Sequence, residues 1–167
     1  MPCHPSPQER HLLEILNAAH RTAFFLSASM RKFDWPITEA FLADNQKELA
    51  VFEPLAAINE RFGKLQDLLG SGMRHACMLL GEPTEPFLKV LAFFAKAGVV
   101  PSSEEWMAIR QLRNAAAHDY SGQFADTARH FNTLHTACPV LMETLQRLTE
   151  YVGQQLGFTW DGDPTQA

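Results

Sequence analysis

The chain has 167 residues, of which 46% are apolar and 20% charged, and a formal net charge of −5. This length and composition fit one globular domain with its own core and exclude a largely disordered chain. The acidic balance argues against wholesale electrostatic capture of nucleic acid and leaves room only for a local basic cleft, for which Arg110, Arg113 and Arg129 are the candidates. The three cysteines, Cys3, Cys77 and Cys138, form no CxxC pair and no disulfide framework, a pattern that fits a reducing cytoplasm. No stretch approaches the ~18 uninterrupted apolar residues of a membrane span. The N-terminus, MPCHPSPQER, lacks the basic start and apolar run of a secretory signal. A soluble cytoplasmic protein with no membrane partner is the expectation.

Helical periodicity runs through the chain, and no segment alternates as a half-buried strand would. Residues 1–7 read as a flexible leader. Gln8 to Met30 reads as an amphipathic helix, because Leu12, Ile15, Leu16, Ala19, Ala23 and Leu26 recur at three- and four-residue steps. FDWPIT breaks it, since Pro36 disfavours helix at Trp35. A long helical region follows from Thr38 to Leu80. In it Pro54 marks a boundary or kink, and Gly70-Ser71-Gly72 a second weak point. GEPTEP, residues 81–86, is a turn, and Phe87 to Ala97 is a short helix ended by Gly98. Ser102 with Glu105 three residues later is a capping box, opening a helix that runs into RQLRNAAAHDY, residues 110–120. The last helix begins near Gln123 and keeps its apolar step to Leu156, with Pro139 as an expected kink. Residues 158–167 read as a frayed tail, leaving a single domain over residues 8–157. The expectation is an all-α fold, an up-and-down antiparallel bundle of about five or six helices.

The stretch RQLRNAAAHDY decides between an enzyme and an ordinary helical domain. With about 100° per residue, Trp106, Ile109, Leu112, Ala116 and Ala117 form an apolar stripe, and Arg113 falls inside it. An arginine keeps its proton, and burying it unpaired is very costly. Arg113 must therefore have a carboxylate or an anion, or lie where the stripe opens to a cleft or a partner chain. A structural salt bridge or a snorkelling stem would serve as well. Asp67, in RFGKLQD, is a candidate partner. His118 falls about 140° from Arg113 on a regular helix, so the two side chains do not share a face. Either the helix ends near Ala117 or His118, or a two-fold dimer brings a second motif alongside. The Ala115–Ala117 run reads as high helix propensity or as room for a partner backbone or substrate.

RNAAAH has the form R-N-x3-H, and Tyr120 extends it to R-x4-H-x-Y. This resembles the HEPN superfamily, and within it the HepT-type toxins of HEPN/MNT toxin–antitoxin pairs. The helical-bundle expectation agrees with the HEPN fold. The resemblance implies a metal-independent endoribonuclease in which a ribose 2′-OH attacks the adjacent phosphate and leaves a cyclic phosphate. By this carry-over His118 is the acid/base, a role suited to a group titrating near neutral pH. Arg113 is the phosphate clamp. Asn114 orients His118 or the substrate, and Arg110 and Asp119 are supporting residues. The family's composite site implies a homodimer. It also implies a cognate minimal nucleotidyltransferase antitoxin that transfers AMP to Tyr120, blocking RNA and neutralising the arginine. The net acidic charge fits a narrow substrate groove or a mostly complexed protein.

Two other readings use the same residues. One is a non-catalytic partner of a minimal nucleotidyltransferase, its cleft holding a nucleotide with Arg113 on the phosphate. The other is an unrelated helical interaction module. No metal or cofactor is expected: no H-E-x-x-H is present, His130 and His135 are five apart, and His75 and Cys77 lack further ligands at zinc-like spacing. His4, His11, His20 and His75 read as surface or capping residues. Gly70-Ser71-Gly72 lacks the lysine of a phosphate-binding loop.

Overall fold

Ser6 starts the first helix. Its Oγ accepts the Glu9 N–H at 3.2 Å, and Glu9 Oε2 accepts the Ser6 N–H at 2.6 Å. This reciprocal cap, with Pro7 at the first helical position, begins α1 (Pro7–Met30) inside the expected leader. In the computed structural model, which describes residues 5–116 and 123–157 (114–116 by their backbone alone), the expected tail at 158–167 lies outside the described residues. The break after α1 is closed by Trp35, whose Nε1 donates to the Met30 carbonyl at 2.9 Å.

The region expected to be helical from Thr38 is two helices, α2 (Glu39–Asp44) and α3 (Leu49–Leu80). The interruption comes from Asn45, not from Pro54. The Asn45 side-chain amide and its backbone N–H both donate to the Phe41 carbonyl, at 2.8 and 3.2 Å. This local bonding competes with continued helix. Pro54 sits inside α3. The N–H it lacks is the one Ala50 would have bonded, and Ala50 is exposed, so water can satisfy that carbonyl. Gly70-Ser71-Gly72 does not interrupt α3 either. Gly72 is buried, and a Cβ there would lie 3.5 Å from both Ile15 of α1 and a leucine of the last helix. Its small size brings three helices together. The chain continues through α4 (Phe87–Lys96), α5 (Ser103–Ala116) and α6 (Phe124–Leu156), with Pro139 inside α6. Ser102 Oγ accepts the Glu105 N–H at 3.0 Å, one half of the expected capping box.

The four main helices run up, down, up and down. Ser29 meets Arg61 at one end of the α1–α3 pair and His11 meets His75 at the other, so the two are antiparallel. Arg113 packs at Gly63 and Asp67, whereas Trp106 lies beside Ser71 and Arg74, so α5 is antiparallel to α3. His130 meets Asn59, and Leu148 meets Gly72, so α6 is parallel to α3. The short α2 packs near the start of α6, where the Asn132 side chain bonds both the N–H and the carbonyl of Ile37 at 2.8 Å. The short α4 packs at the other end, with Phe94 against Tyr151 of α6. The bundle is all-α, with no strand among the described residues. No helix is long and apolar enough to cross a membrane among the same residues. Leu12, Leu16 and Leu26 of α1, Ile58, Phe62, Leu65 and Leu69 of α3, and Phe131, Leu134, Leu141 and Leu148 of α6 fill the core.

Two histidines belong to this packing. His20 departs from its expected surface or capping role: it is half-buried, and its Nε2 lies 2.9 Å from Thr149 Oγ1, which must accept because the Thr149 hydroxyl donates to the Leu145 carbonyl. His130 donates from Nε2 to Asn59 Oδ1 at 3.1 Å. Burial pushes both below the ordinary imidazole value of 6.5. The unfolded chain therefore takes up these protons first, and stability falls as pH drops below about 6.5. The melting temperature is expected to decline between pH 7.5 and 5, and His20→Gln with His130→Gln is expected to flatten that slope. A slope unchanged in the double variant would assign the acid sensitivity to other groups.

Candidate functional site

Trp106 and Ile109 are the buried residues of α5 among those described, at 1% and 5% exposure. They seat the helix so that Arg110 and Arg113 point along its edge towards α3. The Arg113 stem lies over Gly63: a Cβ at Gly63 would stand 3.2 Å from Arg113 Nε and 3.4 Å from its Cδ. Its Nη1 donates to Asp67 Oδ1. The apolar stripe thus opens at Arg113 into a cleft, and the carboxylate partner is Asp67.

The arginine and aspartate side chains are 43% and 51% exposed. An ion pair this open is worth about 0–1 kcal/mol, so Asp67 orients Arg113 without consuming it, and an anion can share the guanidinium. Asn59, Glu60 and Lys64 join Gly63, Asp67 and Arg113 around a cleft of about 350 Å³. Its two acids match its two bases, so the cleft has no net formal charge. His130 stands behind Asn59 at the same end of the bundle. Sequence reasoning set His130 aside and did not single out Asn59 or Gly63.

The basic trio expected from the sequence does not assemble. Arg129 pairs with Asp126 on its own helix at 2.7 Å and borders a different open groove, with Asn132 and Thr136. Arg110 stays on the motif's side of the molecule, its guanidinium 6.0 Å from the Phe87 ring centroid. Arg61 turns towards α1, bonding Ser29 Oγ at 2.5 Å. His135 stacks on Trp35 with ring centroids 4.3 Å apart. Asn114 lies in the last turn of α5, and His118, Asp119 and Tyr120 lie outside the described residues. Burial pushes the Cys77 and Cys138 thiols up to about 11, with Glu82 adding to the effect at Cys77. Neither is a nucleophile at neutral pH.

The end of α5 therefore presents a fixed, partly exposed guanidinium at a cleft, with the chain leading on to a histidine and a tyrosine. Comparison with protein-family models, with curated proteins and with solved structures finds no match to this chain.

Proposed function

We propose that this protein is a metal-independent endoribonuclease of the HEPN type, the toxin of a HEPN/MNT pair, acting through Arg113 and His118. The observation that carries the reading is the setting of Arg113. An arginine inside an apolar stripe is held at a cleft by one half-exposed carboxylate, at the end of the helix that leads into the R-x4-H-x-Y motif. A buried structural arginine would be sealed by its partners, whereas this one keeps donors available to a phosphate.

In this reading His118 takes the proton from the ribose 2′-OH as that oxygen bonds to phosphorus. The bond to the 5′ oxygen breaks, a proton returns to the leaving oxygen, and a 2′,3′-cyclic phosphate remains. Arg113 stabilises the extra charge on the non-bridging oxygens. Asn114 orients His118 or the substrate, and Asp119 and Arg110 support the site. A homodimer completes the site with a second motif, and AMP transfer to Tyr120 by a partner nucleotidyltransferase silences it. The half-exposed Arg113 guanidinium would serve equally in one second reading, a non-catalytic nucleotide-binding subunit beside a minimal nucleotidyltransferase.

The test is cleavage of a structured RNA in EDTA by protein whose intact mass shows no AMP adduct, beside His118→Ala. The expected result is cyclic phosphate ends from wild type and a loss of about 10²–10⁴-fold in the variant. Folded, unmodified wild type that leaves several RNAs intact would put the nucleotide-binding reading first.

A further inference from the structure

One helical turn before Arg113 lies a second concavity of about 200 Å³, between α3, α4 and α5. Gln66, Ser71 and Arg74 line it from α3, Phe87 from the start of α4, and Trp106 and Arg110 from α5. It is smaller than the roughly 300–1,000 Å³ of pockets for drug-sized ligands, a size suited to one small polar group.

Gln66 is 4% exposed, and neither its Nε2 nor its Oε1 has a hydrogen-bond partner. Native proteins seldom leave a buried amide unsatisfied, because the lost hydration is not regained. A leucine or methionine would occupy similar volume in this row of α3 without that cost. The glutamine is therefore explained by a partner that comes from outside the chain.

Arg74 and Arg110 both direct their guanidinium groups at the Phe87 ring, at 5.1 and 6.0 Å from its centroid. Like charges drawn to one ring repel unless an anion lies between them. Arg74 is partly matched by Glu85 at 3.1 Å, whereas Arg110 has no carboxylate within ion-pair distance among the described residues. Asp67 also borders the recess, so its lining sets two arginines, Arg74 and Arg110, against one carboxylate. Unlike the Arg113 cleft, this recess carries a net positive charge.

We propose that the recess is a phosphate subsite, taking the phosphate of the nucleotide next to the one clamped by Arg113. Arg110 and Arg74 supply charged donors, and the Ser71 hydroxyl and Gln66 amide supply neutral ones. Arg110 and Arg113 are three residues apart, about 4.5 Å along the helix axis, so one strand laid along α5 meets them in succession. Both Gln66 amide atoms are closed to solvent, so the ligand enters by parting the side chains above them. Arg110, exposed and held by a ring contact, is free to move. The ribonuclease reading supplies the identity of the ligand as RNA, but the phosphate chemistry of the recess stands apart from it.

The experiment titrates inorganic phosphate, and separately a trinucleotide RNA, into ¹⁵N-labelled protein while following the Gln66 side-chain NH₂ signals. Phosphate is expected to shift those signals in wild type, and Arg110→Ala to weaken the effect about tenfold or more. Gln66→Met, followed through the backbone amides of Ser71 and Arg110, is expected to raise the melting temperature and to weaken phosphate binding, which separates lost binding from lost folding. The trinucleotide is expected to act at least tenfold more tightly than phosphate, as two linked contacts on one strand require. Equal affinities would overturn the strand assignment in favour of a free phosphate ligand. Gln66 signals that stay in place under both titrations would overturn the subsite, whether or not the protein cleaves RNA. Shifted signals in a protein that cleaves no RNA would instead defeat the ribonuclease reading and leave the phosphate subsite standing.

Discussion

Arg113→Ala is expected to lower RNA cleavage about 10²–10³-fold, the cost of removing one preorganised donor to a developing oxyanion, while changing folding stability by no more than about 1 kcal/mol. The split follows from the exposure of the pair. Arg113 and Asp67 are each about half in solvent, so water replaces what the fold loses. No substitute replaces a planar guanidinium on a phosphate, and Arg113→Lys is expected to recover only part of the rate because a point charge lacks the fork. Gly63 offers an independent check that leaves the motif untouched. Gly63→Leu would occupy the space of the Arg113 stem, whose Cγ already stands 3.5 Å from an added Cβ. It is expected to mimic Arg113→Ala in cleavage while keeping the fold. Gly63→Ala, in contrast, gains up to about 1 kcal/mol of helix propensity and asks Arg113 to move by only a few tenths of an ångström. A loss above about 3 kcal/mol in Arg113→Ala, with unchanged cleavage per folded molecule, would make Arg113 a structural arginine.

The helical order was legible because burial follows the apolar step. Leu12, Leu16, Ala19, Ala23 and Leu26 all lie in the core, as their spacing requires. Asn45 and Pro54 show the limit of local reading. Both can break a helix, and the outcome depends on where the Asn45 amide finds an acceptor and whether the Ala50 carbonyl meets water. At the site, the stripe around Trp106 demanded a partner for Arg113, and Asp67 supplies it. The room for the Arg113 stem comes from Gly63, about fifty residues earlier, which no periodicity on α5 can reveal. Gln66 did leave a signal. It follows Phe62 by four residues and precedes Leu69 by three, a core position on the α3 wheel. In RFGKLQD a polar residue thus occupies the apolar face that Phe62 and Leu65 define. Ser6 and Glu9 likewise spell a capping box inside what reads as leader.

The second large effect is on the fold that carries the site. Trp106→Ala is expected to destabilise by about 3–5 kcal/mol, as removal of a fully buried tryptophan does, and to lower the melting temperature by roughly 6–20 °C at 2–4 °C per kcal/mol. The loss should not spread evenly. The α1, α3 and α6 helices bury leucines against one another along their whole lengths, whereas α5 is seated by Trp106 and Ile109 among its described residues. Removing the larger anchor therefore frees α5 before the rest opens. Amide exchange on Trp106→Ala is expected to show lost protection in α5, with α1 and α3 still protected at the level set by their own packing. Cleavage should then fall with the population of seated α5, and phosphate or RNA should restore part of both, since a ligand of the seated state favours it by mass action. Equal loss of protection in all helices would place α5 within the cooperative core. The site would then be as rigid as the bundle, and a ligand could not act by ordering α5 alone.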